Sequence, residues 1–138
     1  MIVADTSALS RVMHRDATAL AWLASHRPSE VILCAPVAAE IAFGLERLGP
    51  RTRKRTLLEA QFRLIRAAVV WADWTEAGAR WFGIIKAQLR NAGTPVDDMD
   101  IAIASVALAL DAGVATCNRK HFEAVADLRV EDWSRARP

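Results

Sequence analysis

The chain has 138 residues, 53% of them hydrophobic, with 18 basic and 16 acidic side chains and a formal net charge of +2. That length and apolar content describe a single domain over residues 1–138, with room for a real core and none for a second unit of ordinary size. A charged fraction of 25% and a mean hydropathy of +0.14 exclude a disordered chain, and the longest largely apolar run, Ile101 to Leu110, falls far short of the ~18 residues of a membrane span.

Short β-branched runs alternate with longer helical ones. Met1-Ile-Val-Ala-Asp5 lacks the basic start and long apolar stretch of a signal peptide, and Ile2-Val3-Ala4 reads as a buried first strand. Val31 to Cys34, Val69 to Trp71, Val114 to Cys117 and Leu128 to Val130 are the further strands. Helical patterns fill 7–26 (broken near Arg15-Asp16), 36–48, 50–66, 75–92, 98–112 and 119–125. Such alternation predicts an α/β fold, a three-layer α/β/α sandwich around a mostly parallel sheet of four to five strands. Cys34 and Cys117 sit in strand-like stretches and read as buried free thiols of a cytoplasmic protein.

Sites in open parallel sheets form at the carboxyl ends of strands. Three places qualify: Asp5-Thr6-Ser7, Thr116-Cys117-Asn118, and Asp73 after the third strand. Asp5 is either a helix cap or a functional acid, since Thr6 or Ser7 could cap the next helix and leave it free. Glu40 stands beside the apolar stripe Val37, Ile41, Leu45 and Leu48, among alanines and Phe43; it is either a boundary residue or a ligand. Asp97, Asp98 and Asp100 open a helix that is apolar all round and therefore central. One or two acids suffice to cap that helix. Asp100 would enter the interior with it, and a buried carboxylate needs a cation. Oxygen-only ligation suits Mg²⁺ or Mn²⁺, whereas His14, His26 and His121 are scattered and form no zinc-like cluster. Carboxylates around such a metal suit phosphodiester hydrolysis.

Ile-Val-Ala-Asp-Thr-Ser at the start, Ala-Ala-Glu-Ile-Ala-Phe-Gly around Glu40, Val96-Asp-Asp-Met-Asp-Ile-Ala-Ile-Ala104 and Val114-Ala-Thr-Cys-Asn118 with Phe122 follow in order along nearly the whole chain. Together with the closing Leu128-Arg-Val-Glu-Asp-Trp133, they resemble a PIN-domain ribonuclease, closest to the VapC toxins of VapBC toxin–antitoxin systems. The resemblance implies a Mg²⁺-dependent endoribonuclease (Mn²⁺ serving as well) that cuts structured RNA, with tRNA as the class. It implies metal binding by Asp5, Glu40 and Asp100, with Asp98 in the catalytic set as an outer-shell ligand or water contact. Ser7, Thr6, Thr116, Asn118 and Asp97 would support them. It further implies a homodimer and a VapB-type antitoxin, whose C-terminal segment would cross an apolar groove in the helices of 7–26 and 36–66. Where the family often carries a fourth acid, this sequence has Asn118 and His121.

Arg51, Arg53, Lys54 and Arg55 crowd the segment up to Arg66, which contains a single acid, Glu59. Such a run is either a solvated helix face or, as the resemblance implies, a guide for RNA phosphates. Trp71, Trp74, Trp81 and Phe82 cluster where a strand meets a helix and read as core packing. Other readings are a catalytically silent PIN fold used for binding, an aspartyl-phosphate phosphatase and a phospho-receiver module. The phosphatase needs a second Asp where Ser7 stands. The receiver, with Asp73 as acceptor and Thr116 and Lys120 following, needs paired acids after strand one.

Overall fold

The computed structural model describes residues 1–138. Five strands, β1 (Ile2–Ala4), β2 (Val31–Cys34), β3 (Val70–Ala72), β4 (Gly113–Thr116) and β5 (Val130–Asp132), form one sheet in the order β3-β2-β1-β4-β5. Every pairing is parallel, with Val3 opposite Ile32 on one side and opposite Val114 on the other. Six helices connect them: α1 (Thr6–Met13), α2 (Ala17–Ala24), α3 (Ala35–Glu46), α4 (Arg53–Ala68), α5 (Glu76–Asn91) and α6 (Asp98–Ala109). Strands β1, β2 and β4 are buried along their whole length because helices cover both faces of the sheet. The strands therefore consist of continuous apolar runs and not of alternating ones.

The α/β reading of the sequence holds, and most of its boundaries shift by one to three residues. The first helical stretch divides at Arg15, whose positive φ of 59° ends α1, and Asp16 caps α2 through the Ala19 amide. The last expected helix reduces to a 3₁₀ turn, Arg119–His121, and β5 begins at Val130 instead of Leu128. Helix α6 is buried from Ile101 through Ala107, as an all-apolar helix must be. It lies along α5 and carries Asp100 into the molecule with its first turn.

Two expectations about the core change. Trp71, Trp74 and Trp81 are exposed by 37%, 47% and 37%, so the aromatic cluster is not core; Phe82 alone is half-buried. The edge position of β3 explains Trp71, because one flank of that strand has no neighbour. The buried tryptophan is Trp133, stacked on Trp22 at 6.3 Å beyond β5. Cys34 is buried, but Cys117 is only half-buried because it follows the last residue of β4. Burial pushes both thiols up to about 11, which keeps them protonated and unreactive at neutral pH.

Candidate active site

The order of strands turns back at β1: β2 and β3 are added on one side, β4 and β5 on the other. Crossovers leave in opposite directions there, which opens a crevice at the carboxyl ends of β1 and β4. Asp5 stands at the first of these ends and Thr116 at the second.

Asp5 is 4% exposed and saturated with donors. Its Oδ1 accepts from the Ala8 amide at 2.7 Å and from the Ser7 hydroxyl at 2.7 Å, while Oδ2 accepts from the Thr116 hydroxyl at 2.6 Å. The two hydroxyls are themselves fixed by backbone donors. The Cys117 amide donates to Ser7 Oγ and the Asn118 amide to Thr116 Oγ1, each at 2.9 Å. Of the two readings of Asp5 the structure shows the cap: Asp5 caps α1 through the Ala8 amide, with its carboxylate buried at the tip of β1. Thr6 and Ser7 cap nothing. Thr6 donates to Glu40 at 2.5 Å and so ties α1 to α3.

Asp100 and Glu40 complete the acidic set. Burial raises the Asp100 carboxyl to about 6, and the charges of Asp97, Asp5 and Glu40 add to that rise while His121 opposes it. Burial also raises Asp5, with Glu40 contributing, against the lowering effect of its hydrogen bonds to Thr116, Ala8 and Ser7. The three acids are therefore within electrostatic reach of one another. Neither a Lys nor an Arg pairs with any of them. Of the basic side chains only His121 contacts this set, its Nδ1 lying 2.8 Å from Asp100 Oδ2. Asn118 Nδ2 meets His121 Nε2 at 2.8 Å. An amide nitrogen can only donate, so in the neutral ring the proton resides on Nδ1 and is donated to Asp100.

His121 is the residue that the sequence reading left out of the site. The available signal was its position, three residues after Asn118 and at one of the places where the family often has an acid. Two proposed site residues have other places. Asp97 caps α6 through the Met99 amide at 2.9 Å. Asp98 does not join the acids at the strand tips: it pairs with Lys86 of α5 at 2.9 Å and is 64% exposed. Successive positions on a helix point different ways, and of residues 98 and 100 only the latter points to β1. Asp73 is also away from the crevice, held by Trp71 Nε1 at 2.7 Å beside the edge strand β3. This removes the acceptor that a phospho-receiver would need.

The basic segment divides as well. Arg51, Arg53 and Lys54 are exposed. Arg55 is not free, because its guanidinium bonds Glu59 at 2.7 Å and Glu46 at 2.8 Å and fastens α4 to α3. Lys54 borders a groove of about 210 Å³ between α1, α3 and α4, with Thr6, Glu40, Met13, Ile41 and Leu58 among its walls.

As the side chains stand, no three His, Cys, Asp or Glu groups converge into a ready-made metal cage. The donor set nevertheless fits a hard divalent cation. It is all carboxylate and short of positive charge, and burial disfavours the anions of Asp5 and Asp100. Mg²⁺ in particular binds through one or two carboxylates and keeps several waters, so it does not require an all-protein cage.

The PIN domain family model matches residues 2–128. This chain belongs to the PIN-domain family. Among its relatives, ribonuclease VapC19 of Mycobacterium tuberculosis is 37% identical over 81 residues, which are 59% of this chain and 62% of that protein's length. The tRNA(fMet)-specific endonuclease VapC of Salmonella typhimurium is 34% identical over 95 residues, 68% of each chain. In three dimensions the PIN fold superposes on VapBC2 from Rickettsia felis, solved with a DNA fragment from their promoter. The TM-score is 0.85 at 20% identity, covering 96% of this chain and 99% of that one.

Proposed function

We propose that this protein, a single PIN domain over 1–138, is a divalent-metal-dependent endoribonuclease and the toxin of a VapBC-type toxin–antitoxin pair. The observation that carries the reading is the crevice between β1 and β4. Asp5, Asp100 and Glu40 come from three different elements, lie within electrostatic reach of one another there, and have no Lys or Arg partner. Structured RNA, with tRNA as the class, is supported by relatives whose names give them that substrate.

Asp5, Asp100 and Glu40 would hold Mg²⁺ or Mn²⁺. When bound, such a cation offsets charge on the scissile phosphate and lowers the pKa of an attacking water. The remaining work belongs to the chain. Ser7 and Thr116 keep the Asp5 carboxylate in one orientation, and the amides behind them keep the hydroxyls in place. Thr6 holds Glu40 toward α1. His121 Nδ1 contacts one oxygen of Asp100 and so orients that carboxylate. Arg51, Arg53 and Lys54 supply positive charge for phosphates outside the acidic crevice.

The groove between α1, α3 and α4 is where an antitoxin segment would lie, because Met13, Ile41, Leu45, Leu48 and Leu58 give it an apolar wall and Glu40 and Thr6 also line it. The exposed Trp81 and Ile84 on α5 support pairing of two copies as a homodimer. A catalytically silent binding module is the second reading, favoured by Asn118 and His121 standing where an acid would complete the set.

The deciding experiment uses protein purified free of any antitoxin. Cleavage of tRNA only with Mg²⁺ or Mn²⁺, lost in Asp5→Asn and in Asp100→Asn, is the expected result. Equal cleavage by wild type and both variants would overturn it. A wild type that binds tRNA without cutting it would favour the silent module.

A further inference from the structure

A cavity of about 510 Å³ opens between the first turns of α3 and α6, walled by Pro36, Ala39, Trp74, Phe82, Met99 and Ala102, with Asp98 at its edge. Ala39 directly precedes Glu40 on α3, and Met99 directly precedes Asp100 on α6, so two of its walls are the chain neighbours of two of the acids. Trp74 is half exposed, yet it is held from three sides. Its Nε1 donates to the buried Ser105 hydroxyl at 3.1 Å, and that hydroxyl donates to the Ala102 carbonyl at 2.6 Å. Its indole meets Phe82 edge-on, with centroids 5.7 Å apart and planes at 65°. Its Cδ1 lies so close to α5 that a side-chain carbon on Gly78 would come within 2.8 Å of it. An indole fixed in this way, with much of its surface in solvent, is a platform already set for a planar partner. At the rim, the Lys86–Asp98 pair cancels its own charge while offering one donor and one acceptor. An interior with aromatic and methyl walls and a neutral rim is poorly suited to a phosphate and well suited to an uncharged flat ring.

We infer that this cavity receives an unpaired nucleobase next to the bond to be cut, stacked on Trp74. The inference rests on the endoribonuclease reading and extends it to substrate positioning. Unstacked bases of single-stranded RNA loops are commonly recognised on aromatic side chains in this way. Stacking reads any base by its face, so Trp74 sets the position of the strand and not its sequence.

The test measures binding and cutting of a short single-stranded oligoribonucleotide containing a cleavable site, with the full chain freed of antitoxin. Trp74→Ala should weaken binding by about tenfold, as expected for the loss of one base–aromatic stack. Its salt dependence should stay that of wild type, because every phosphate keeps its cationic partners. Trp74→Phe should recover most of the loss. An abasic nucleotide beside the scissile bond should cost wild type a similar factor and cost Trp74→Ala nothing further, which a general folding defect would not reproduce. Unchanged binding and cutting by Trp74→Ala, with wild type active, would overturn the base site and leave the nuclease reading intact. Conversion of a dimer to a monomer by Trp74→Ala, seen by sedimentation, would assign the cavity to a second copy and also overturn it. A wild type that neither binds nor cuts RNA would overturn the nuclease reading, and the base site with it.

Discussion

The Thr116 hydroxyl donates to Asp5 Oδ2 at 2.6 Å, joining the tips of β4 and β1 across 111 residues of sequence. It is one of three protein donors to a carboxylate that is almost fully buried, and the only one contributed from outside α1. Parallel pairing of Ala4 with Ala115 leaves the next residue of each strand side by side, so the bond follows from register.

Thr116→Val keeps the shape of the side chain and removes this donor. A hydrogen bond to a charged group contributes about 1.5–3 kcal/mol. Calorimetry should show a lower melting temperature for Thr116→Val than for wild type. Nuclease activity should fall by about 10- to 100-fold, as for other partners that orient metal ligands. Wild-type values for both would mean that Thr116 does not hold Asp5.

Asp5→Asn and Asp100→Asn should each bring metal-dependent cleavage close to background with the fold retained, because both replacements preserve shape and remove buried charge. Circular dichroism and isothermal titration with Mn²⁺ separate the two effects. Native-like spectra with no heat of metal binding are expected.

The Asp100 carboxyl, raised to about 6 from 3.8 mainly by burial, gives a stability signal of definite sign. Between these values the folded protein holds more protons than the unfolded chain, so metal-free stability falls as pH rises through the window and levels off above it. A divalent cation needs the ionised form, and the stabilisation by Mg²⁺ should therefore be small at pH 5 and large at pH 7.5. Thermal melts at the two values, with and without Mg²⁺, test this. Asp100→Asn should show a weaker dependence on both pH and metal.

The basic residues around the start of α4 should separate into two kinds. Replacing Arg51, Arg53 and Lys54 with Gln should lower RNA affinity and flatten the salt slope by about 0.7–0.9 for each phosphate that is no longer neutralised. Arg55→Gln should leave that slope alone and lower the melting temperature, because its guanidinium bridges Glu46 and Glu59. A slope that falls equally for Arg55→Gln would contradict the assignment.

Trp133 is fully buried against Trp22, and its Nε1 donates to Glu131 at 3.3 Å. Its truncation to Ala removes a large core side chain at a cost of about 3–5 kcal/mol. Urea unfolding of Trp133→Ala should show the loss, with no comparable effect from truncating the exposed Trp81.

Apolar runs as short as Ile2-Val3-Ala4 and Val31 to Cys34, spaced by helical stretches, already required buried parallel strands. The apolar girth of Ile101 to Ala107 required a central helix. Asp5, Glu40 and Asp100 were visible because a carboxylate after a strand, or at the entry of a buried helix, is costly without a partner. These are local facts, carried by hydrophobic period and by the chemistry of single residues. Side-chain direction is not local. Asp98 and Asp100 are alike in sequence, and only the orientation of α6 against β1 and α5 sends one to the crevice and the other to Lys86. The same holds for Arg55 among its basic neighbours, for His121 at Asp100, and for tryptophans that the edge strand and α5 leave in solvent. Each depends on which surfaces distant segments cover, a quantity that only the packed chain defines.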